Sequence, residues 1–132
     1  MSTAVDSSVL WAIFKGEPTG LSWLGKLIEL RGQGPLLASD VVWAETRSAF
    51  ASAKAHAEAM SRLGVEFSAL DGEAAALAGE LFSKYRRAGG VRQRILPDFL
   101  IGAHALVLGV PIASDDEGFF RKYFQGLVVI SR

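Results

Sequence analysis

The chain has 132 residues, half of them hydrophobic and 21% charged, which suits one domain with its own core and excludes a disordered chain. Fourteen Lys and Arg balance fourteen Asp and Glu, so a polycation that coats nucleic acid is excluded while a local basic patch is not. With no cysteine, disulfide scaffolds, cysteine-ligated zinc and thiol nucleophiles are excluded as well. Residues 1–6 carry no basic stretch leading into an apolar run, so no secretory signal is expected. A short strand is expected at 3–6, then a helix from Ser7 or Ser8, both good caps, to about Phe14. Residues 15–20, with Gly16 and Pro18, connect to a helix at 21–31 whose Leu24, Leu27, Ile28 and Arg31 form one stripe. The second strand is read at 35–38. Ser39 or Asp40 caps a helix running to about 52, and a further helix spans 54–63 and stops at Gly64.

The third strand is read at 65–68, and the longest helical pattern, 71–88, ends at Gly89-Gly90. Pro97 takes a first-turn position in a helix that reaches Leu108 and stops at Gly109. The fourth and fifth strands fall at 110–113 and 127–130, with no helix read between them. The stretch 99–113 is weakly polar but is broken by Gly102, Gly109 and Pro111 and falls short of the roughly 20 residues a membrane helix needs, so a cytoplasmic domain is expected. Helices between successive strands imply right-handed crossovers and a mainly parallel five-stranded sheet flanked by helices, an α/β domain. Ligands of such sheets gather outside the carboxyl ends of the strands.

Four carboxylates from distant segments reach that edge. Asp6 ends the first strand. Glu45 lies in the second turn of the next helix and leans back toward its N-terminus. Asp98 follows Pro97 in a first turn, and Asp116 follows the fourth strand in the loop Ser114-Asp115-Asp116. Taken singly, Asp98 or Asp40 reads as a helix cap, and Asp115, Asp116 and Glu117 read as a solvated turn. Asp6 and Glu45 sit among apolar neighbours, where charges are seldom left unpaired. Their convergence carries the inference. Carboxylates crowded together resist ionising, and a hard divalent ion such as Mg²⁺ or Mn²⁺ relieves the repulsion through all-oxygen ligation.

Four segments resemble the motifs of PIN domains, and specifically of VapC-like toxins of type II toxin–antitoxin pairs. They are Ala4-Val5-Asp6-Ser7-Ser8-Val9-Leu10, Leu37-Ala38-Ser39-Asp40-Val41-Val42-Trp43-Ala44-Glu45, Ile95-Leu96-Pro97-Asp98-Phe99-Leu100-Ile101-Gly102-Ala103-His104-Ala105, and Pro111-Ile112-Ala113-Ser114-Asp115-Asp116-Glu117-Gly118-Phe119-Phe120. The resemblance spans essentially the whole chain, in order, and treats 1–132 as one PIN domain. It implies a three-layer PIN-like sandwich and Mg²⁺- or Mn²⁺-dependent RNA cleavage by activated water, with metal-site roles for Asp6, Glu45, Asp98 and Asp116. Ser8 and Ser114 take supporting positions. It also implies a cognate antitoxin inserting into the acidic cleft, and a homodimer. One departure stands out: the residue before the last acid, often Asn or Arg in the family, is Asp115, which leaves Asp115 as a position that shares or takes the ligand role.

Lys84, Arg86, Arg87, Arg92 and Arg94 form a basic run just before Asp98, placed to hold RNA phosphates, with Tyr85 available to stack on an unpaired base. The alternative is that cations simply favour a helix end. His104, roughly 240° around its helix from Asp98, reads as a structural histidine rather than a general base, and His56 as a residue of a polar helix with no role. Trp11, Trp23 and Trp43 read as core or subunit contacts. Rival readings are a non-catalytic PIN domain that binds RNA or protein, a DNA-processing nuclease, and a phospho-receiver domain. A receiver would want its acid pair after the first strand, whereas here it follows the fourth.

Overall fold

The computed structural model describes residues 1–90 and 95–132, so Arg92 and Arg94 lie outside the described residues. Five strands form one sheet: β1 (Thr3–Val5), β2 (Leu36–Ser39), β3 (Val65–Ser68), β4 (Ile112–Ala113) and β5 (Val129–Ile130). Their order is β3-β2-β1-β4-β5 and every pairing is parallel, with Ala4 opposite Leu37 on one side and Ile112 on the other. The chain builds outward from β1 to β3, then returns to add β4 and β5 on β1's free side. A receiver sheet runs 2-1-3-4-5 instead, so that rival fails on topology.

The helices are α1 (Ser7–Phe14), α2 (Gly20–Arg31), α3 (Asp40–Arg47), α4 (Ala53–Leu63), α5 (Gly72–Arg87), α6 (Leu96–Leu108) and α7 (Glu117–Tyr123). They cover both faces of the sheet, giving three layers; α1 packs on α2 and α3, and α5 packs on α6. No described helix is long and apolar enough to cross a membrane.

Local chemistry sets the element ends. Asp6, Ser39, Ser52 and Asp71 each cap a helix through a side-chain oxygen, accepting from Ser7, Val42, Ala55 and Ala74 backbone N–H groups. Gly64 and Gly109 close α4 and α6 with φ of +76° and +71°, a conformation glycine adopts without strain. The helix expected to run to about 52 stops at Arg47, because Ser52 instead caps α4. The fourth strand is shorter than expected: Val110 N–H is spent on Ala105 O in the α6 cap, and Pro111 has no N–H to give.

The sequence reading gave no helix in 114–126, yet α7 lies there. Phe119, Phe120 and Phe124 are buried against Phe99, with ring centroids 5.2 Å apart for Phe99–Phe119 and 6.1 Å for Phe99–Phe124. Tyr85, offered as a base-stacking residue, belongs to the same cluster: it is only 7% exposed and meets Tyr123 edge-on at 5.3 Å. His56, read as a solvent-side residue, is fully buried. Its Nε2 bonds Thr46 Oγ1 at 2.9 Å, and its ring lies against Trp43 and Phe50. His104 is structural as expected, buried and paired with Ser68 Oγ at 2.9 Å.

Candidate functional site

Adjacent strands whose connections leave in opposite directions open a crevice at their carboxyl ends. Here those strands are β1 and β4. Asp6 follows β1 directly and its N–H still pairs with Ala113 O at 3.0 Å, so the sheet itself fixes its position. The side chain is 6% exposed. Its Oδ1 accepts from Ser7 N at 2.9 Å, and its Oδ2 accepts from two hydroxyls, Ser8 Oγ at 2.8 Å and Ser114 Oγ at 2.7 Å. Each hydroxyl in turn accepts a backbone N–H from the loop after β4: Asp115 N donates to Ser8 Oγ at 3.3 Å and Asp116 N to Ser114 Oγ at 2.8 Å. One network therefore joins the end of β1 to the loop carrying Asp116.

The other acids stand around Asp6. Burial pushes the Asp6 carboxyl above the usual range; the hydrogen bonds from Ser114, Ser8 and Ser7 oppose this, and the charge of Asp116 adds to it. Burial raises Glu45 too. The Ser7 hydroxyl works against that rise, and the charges of Asp6 and Asp98 reinforce it. Asp98, at the start of α6, is half-buried, and its Oδ2 accepts from Ile95 N at 3.1 Å. The fold thus places Asp116 within electrostatic reach of Asp6, and Asp6 and Asp98 within reach of Glu45.

Glu45 Oε1 is buried with no hydrogen-bond partner, and no ion pair among the described residues involves Asp6 or Glu45. A buried carboxylate oxygen left unsatisfied is costly, and a cation is the group that would satisfy it. An all-oxygen acidic set is matched to hard divalent ions. Among the described residues, no three such side chains stand ready-made at ligand spacing.

Asp115 is differently placed. Its Oδ2 accepts from Trp23 Nε1 at 2.8 Å and its Oδ1 from Arg132 Nε at 2.9 Å. Neither Trp23 nor Arg132 was singled out for the site, because a buried tryptophan reads as core and an arginine after a strand reads as solvated. Ser7, read as a cap, also belongs to the site. Its signal was legible as the second polar residue beside Ser8. Lys84, Arg86 and Arg87 are exposed in the last turn of α5, where Lys84 Nζ lies 3.3 Å from Glu80 and the Arg86 guanidinium sits 5.7 Å from the Phe82 ring centre.

The sequence matches the PIN domain family over residues 3–125, and the chain belongs to that family. Its fold is similar to that of solved toxin–antitoxin proteins. VapBC2 from Rickettsia felis, bound to a promoter DNA fragment, matches at TM-score 0.76 and 17% identity over 99% of this chain and 98% of that one. VapBC-1 from nontypeable Haemophilus influenzae matches at 0.72 and 17% over the same shares of each chain. DNA-bound VapBC from Salmonella typhimurium matches at 0.74 and 15%, again over 99% and 98%. Comparison with curated proteins gave no match.

Proposed function

We propose that the protein is a divalent-metal-dependent endoribonuclease acting as the toxin of a type II toxin–antitoxin pair. The observation that carries the reading is Asp6 buried at the β1/β4 crevice within electrostatic reach of Glu45 and Asp116, with Glu45 Oε1 left without a partner. Asp6, Glu45, Asp98 and Asp116 would hold Mg²⁺ or Mn²⁺. When bound, such an ion supplies Lewis acidity to phosphodiester hydrolysis and makes water a competent nucleophile at neutral pH. Ser8 and Ser114 fix the Asp6 carboxylate by donating to Oδ2, so its one remaining lone pair, on Oδ1, keeps its direction. Asp115 has its charge matched by Arg132, whereas no ion pair among the described residues involves Asp6 or Glu45, and Asp115 is assigned to support rather than ligation.

Lys84, Arg86 and Arg87, with Arg92 and Arg94 of the same run, would hold RNA phosphates beside the acids. Support for an antitoxin partner is the likeness to chains solved within VapBC complexes over nearly their whole length; a homodimer is proposed from the family resemblance alone. The test is incubation of wild type and Asp98→Asn with structured RNAs, with Mg²⁺ and with EDTA. Cleavage by wild type in Mg²⁺ alone, and none by a folded Asp98→Asn, is expected. Cleavage by Asp98→Asn, or cleavage in EDTA, would overturn the assignment.

A further inference from the structure

Asp115 adds a charge to a segment that already carries Asp116 and Glu117, yet the fold takes trouble to keep it. Each of its two oxygens is held by a different residue, 92 and 17 positions away in sequence. Trp23 is fully buried in α2, part of the core. Arg132 follows β5, the neighbour of β4. Asp115 N–H donates to Ser8 Oγ and Asp116 N–H to Ser114 Oγ, and both hydroxyls donate to Asp6 Oδ2. The loop is therefore held to Asp6 from within and to α2 and β5 from without.

We propose that Trp23 and Arg132 are positioning residues of the nuclease centre, which grip the Asp115 carboxylate from two sides and so keep Asp116 in register with Asp6 for a shared divalent cation. The proposal rests on the metal-dependent reading above. Arg132 also offsets the charge of Asp115, which would otherwise add to the repulsion among the four acids. A purely structural alternative exists: a buried indole N–H needs an acceptor, and Asp115 supplies one. That alternative predicts changes in stability only. Positioning predicts changes in metal affinity, because outer contacts that orient ligands typically matter by about 10–100-fold.

The experiment measures Mn²⁺ binding by electron paramagnetic resonance, melting in EDTA, and the kinetics of RNA cleavage in Mg²⁺. The proteins are wild type, Asp98→Asn, Arg132→Ala, Arg132→Lys, Trp23→Phe, Asp115→Ala and the double variant Asp115→Ala with Arg132→Ala. Arg132→Ala is expected to weaken Mn²⁺ binding about tenfold and to lower kcat with KM for RNA unchanged. Its melting temperature should stay within about 1 °C of wild type, since the lost pair is partly exposed. Arg132→Lys should recover part of the affinity, and the double variant should be no weaker than Asp115→Ala alone. Trp23→Phe should weaken Mn²⁺ in the same direction; if it fails to fold, Arg132→Ala decides. Unchanged Mn²⁺ affinity in Arg132→Ala, with binding lost in Asp98→Asn, overturns the positioning role and leaves the nuclease reading standing. Complete loss of binding in Asp115→Ala with none in Arg132→Ala makes Asp115 a ligand and likewise overturns it. A wild type that binds no Mn²⁺ overturns both.

Discussion

Glu45, half-buried, and His56, fully buried, each carry one buried atom without a partner, and their pH dependences run in opposite directions. Burial raises the Glu45 carboxyl, so the folded metal-free protein binds its proton more tightly than the unfolded chain does. Its contribution is present at low pH and is lost as pH rises from 4.5 through the folded-state value. Glu45→Gln should therefore stabilise the metal-free protein at pH 7, by about 1 kcal/mol or roughly 3–5 °C in melting temperature, while abolishing Mg²⁺-dependent cleavage. An unchanged or lower melting temperature in EDTA would contradict this.

For His56 the ring geometry gives the sign. Thr46 Oγ1 donates to Val42 O at 2.9 Å and so accepts from His56 Nε2, which leaves Nδ1 as a bare acceptor in a closed aromatic setting. Protonation would place an N–H there with no partner, and burial together with the nearby Arg47 charge holds the pKa below 6.5. The unfolded chain then binds protons first, so stability is lost as pH falls below 6.5, by up to about 1.4 kcal/mol per pH unit. His56→Phe should flatten that acid limb in denaturant titrations at pH 7 and pH 5; an unchanged difference between the two would count against the assignment. A histidine among alanines on a polar helix carries no sequence signal of this burial, because the signal lies in Trp43 and Phe50 on other segments.

Among the elements, α6 shows how closely the site depends on packing beneath it. A Cβ on Gly102 would stand 2.5 Å from the Phe124 ring, which is itself hemmed in by Phe99, Phe119 and Phe120. Gly102→Ala should cost about 1–3 kcal/mol by overpacking, visible as a lowered denaturation midpoint; a neutral result would mean the cluster can yield. Gly102 lies one helical turn from Asp98, so the same packing sets where that acid stands. The start of α6 was legible from Pro97 and its end from Gly109. Helix α7 was not, since its seven residues are held by the aromatic cluster rather than by caps or propensity. At the end of α5, Arg86→Ala with Arg87→Ala should weaken RNA binding and lower the slope of log K against log salt by about 1.4 for a single strand. An unaltered slope would remove these arginines from the RNA contact.

At the scale of the whole molecule, the order β3-β2-β1-β4-β5 is what sets the ends of β1 and β4, and with them Asp6 and Asp116, side by side. Alternation of strand and helix along the chain already implied a parallel sheet, and an acid at the end of a strand or the start of a helix already implied its carboxyl edge. The order of strands within the sheet is a long-range property, and only the structure shows β1 lying between β2 and β4. The Trp23–Asp115–Arg132 contacts are hidden for the same reason, since their partners meet only after the sheet has closed. The most direct test of the account is an anomalous difference map from crystals grown in Mn²⁺. The account predicts a peak bridged by Asp6 and at least two of Glu45, Asp98 and Asp116. A map with no peak in the β1/β4 crevice, from crystals that bind Mn²⁺ elsewhere or not at all, would contradict it.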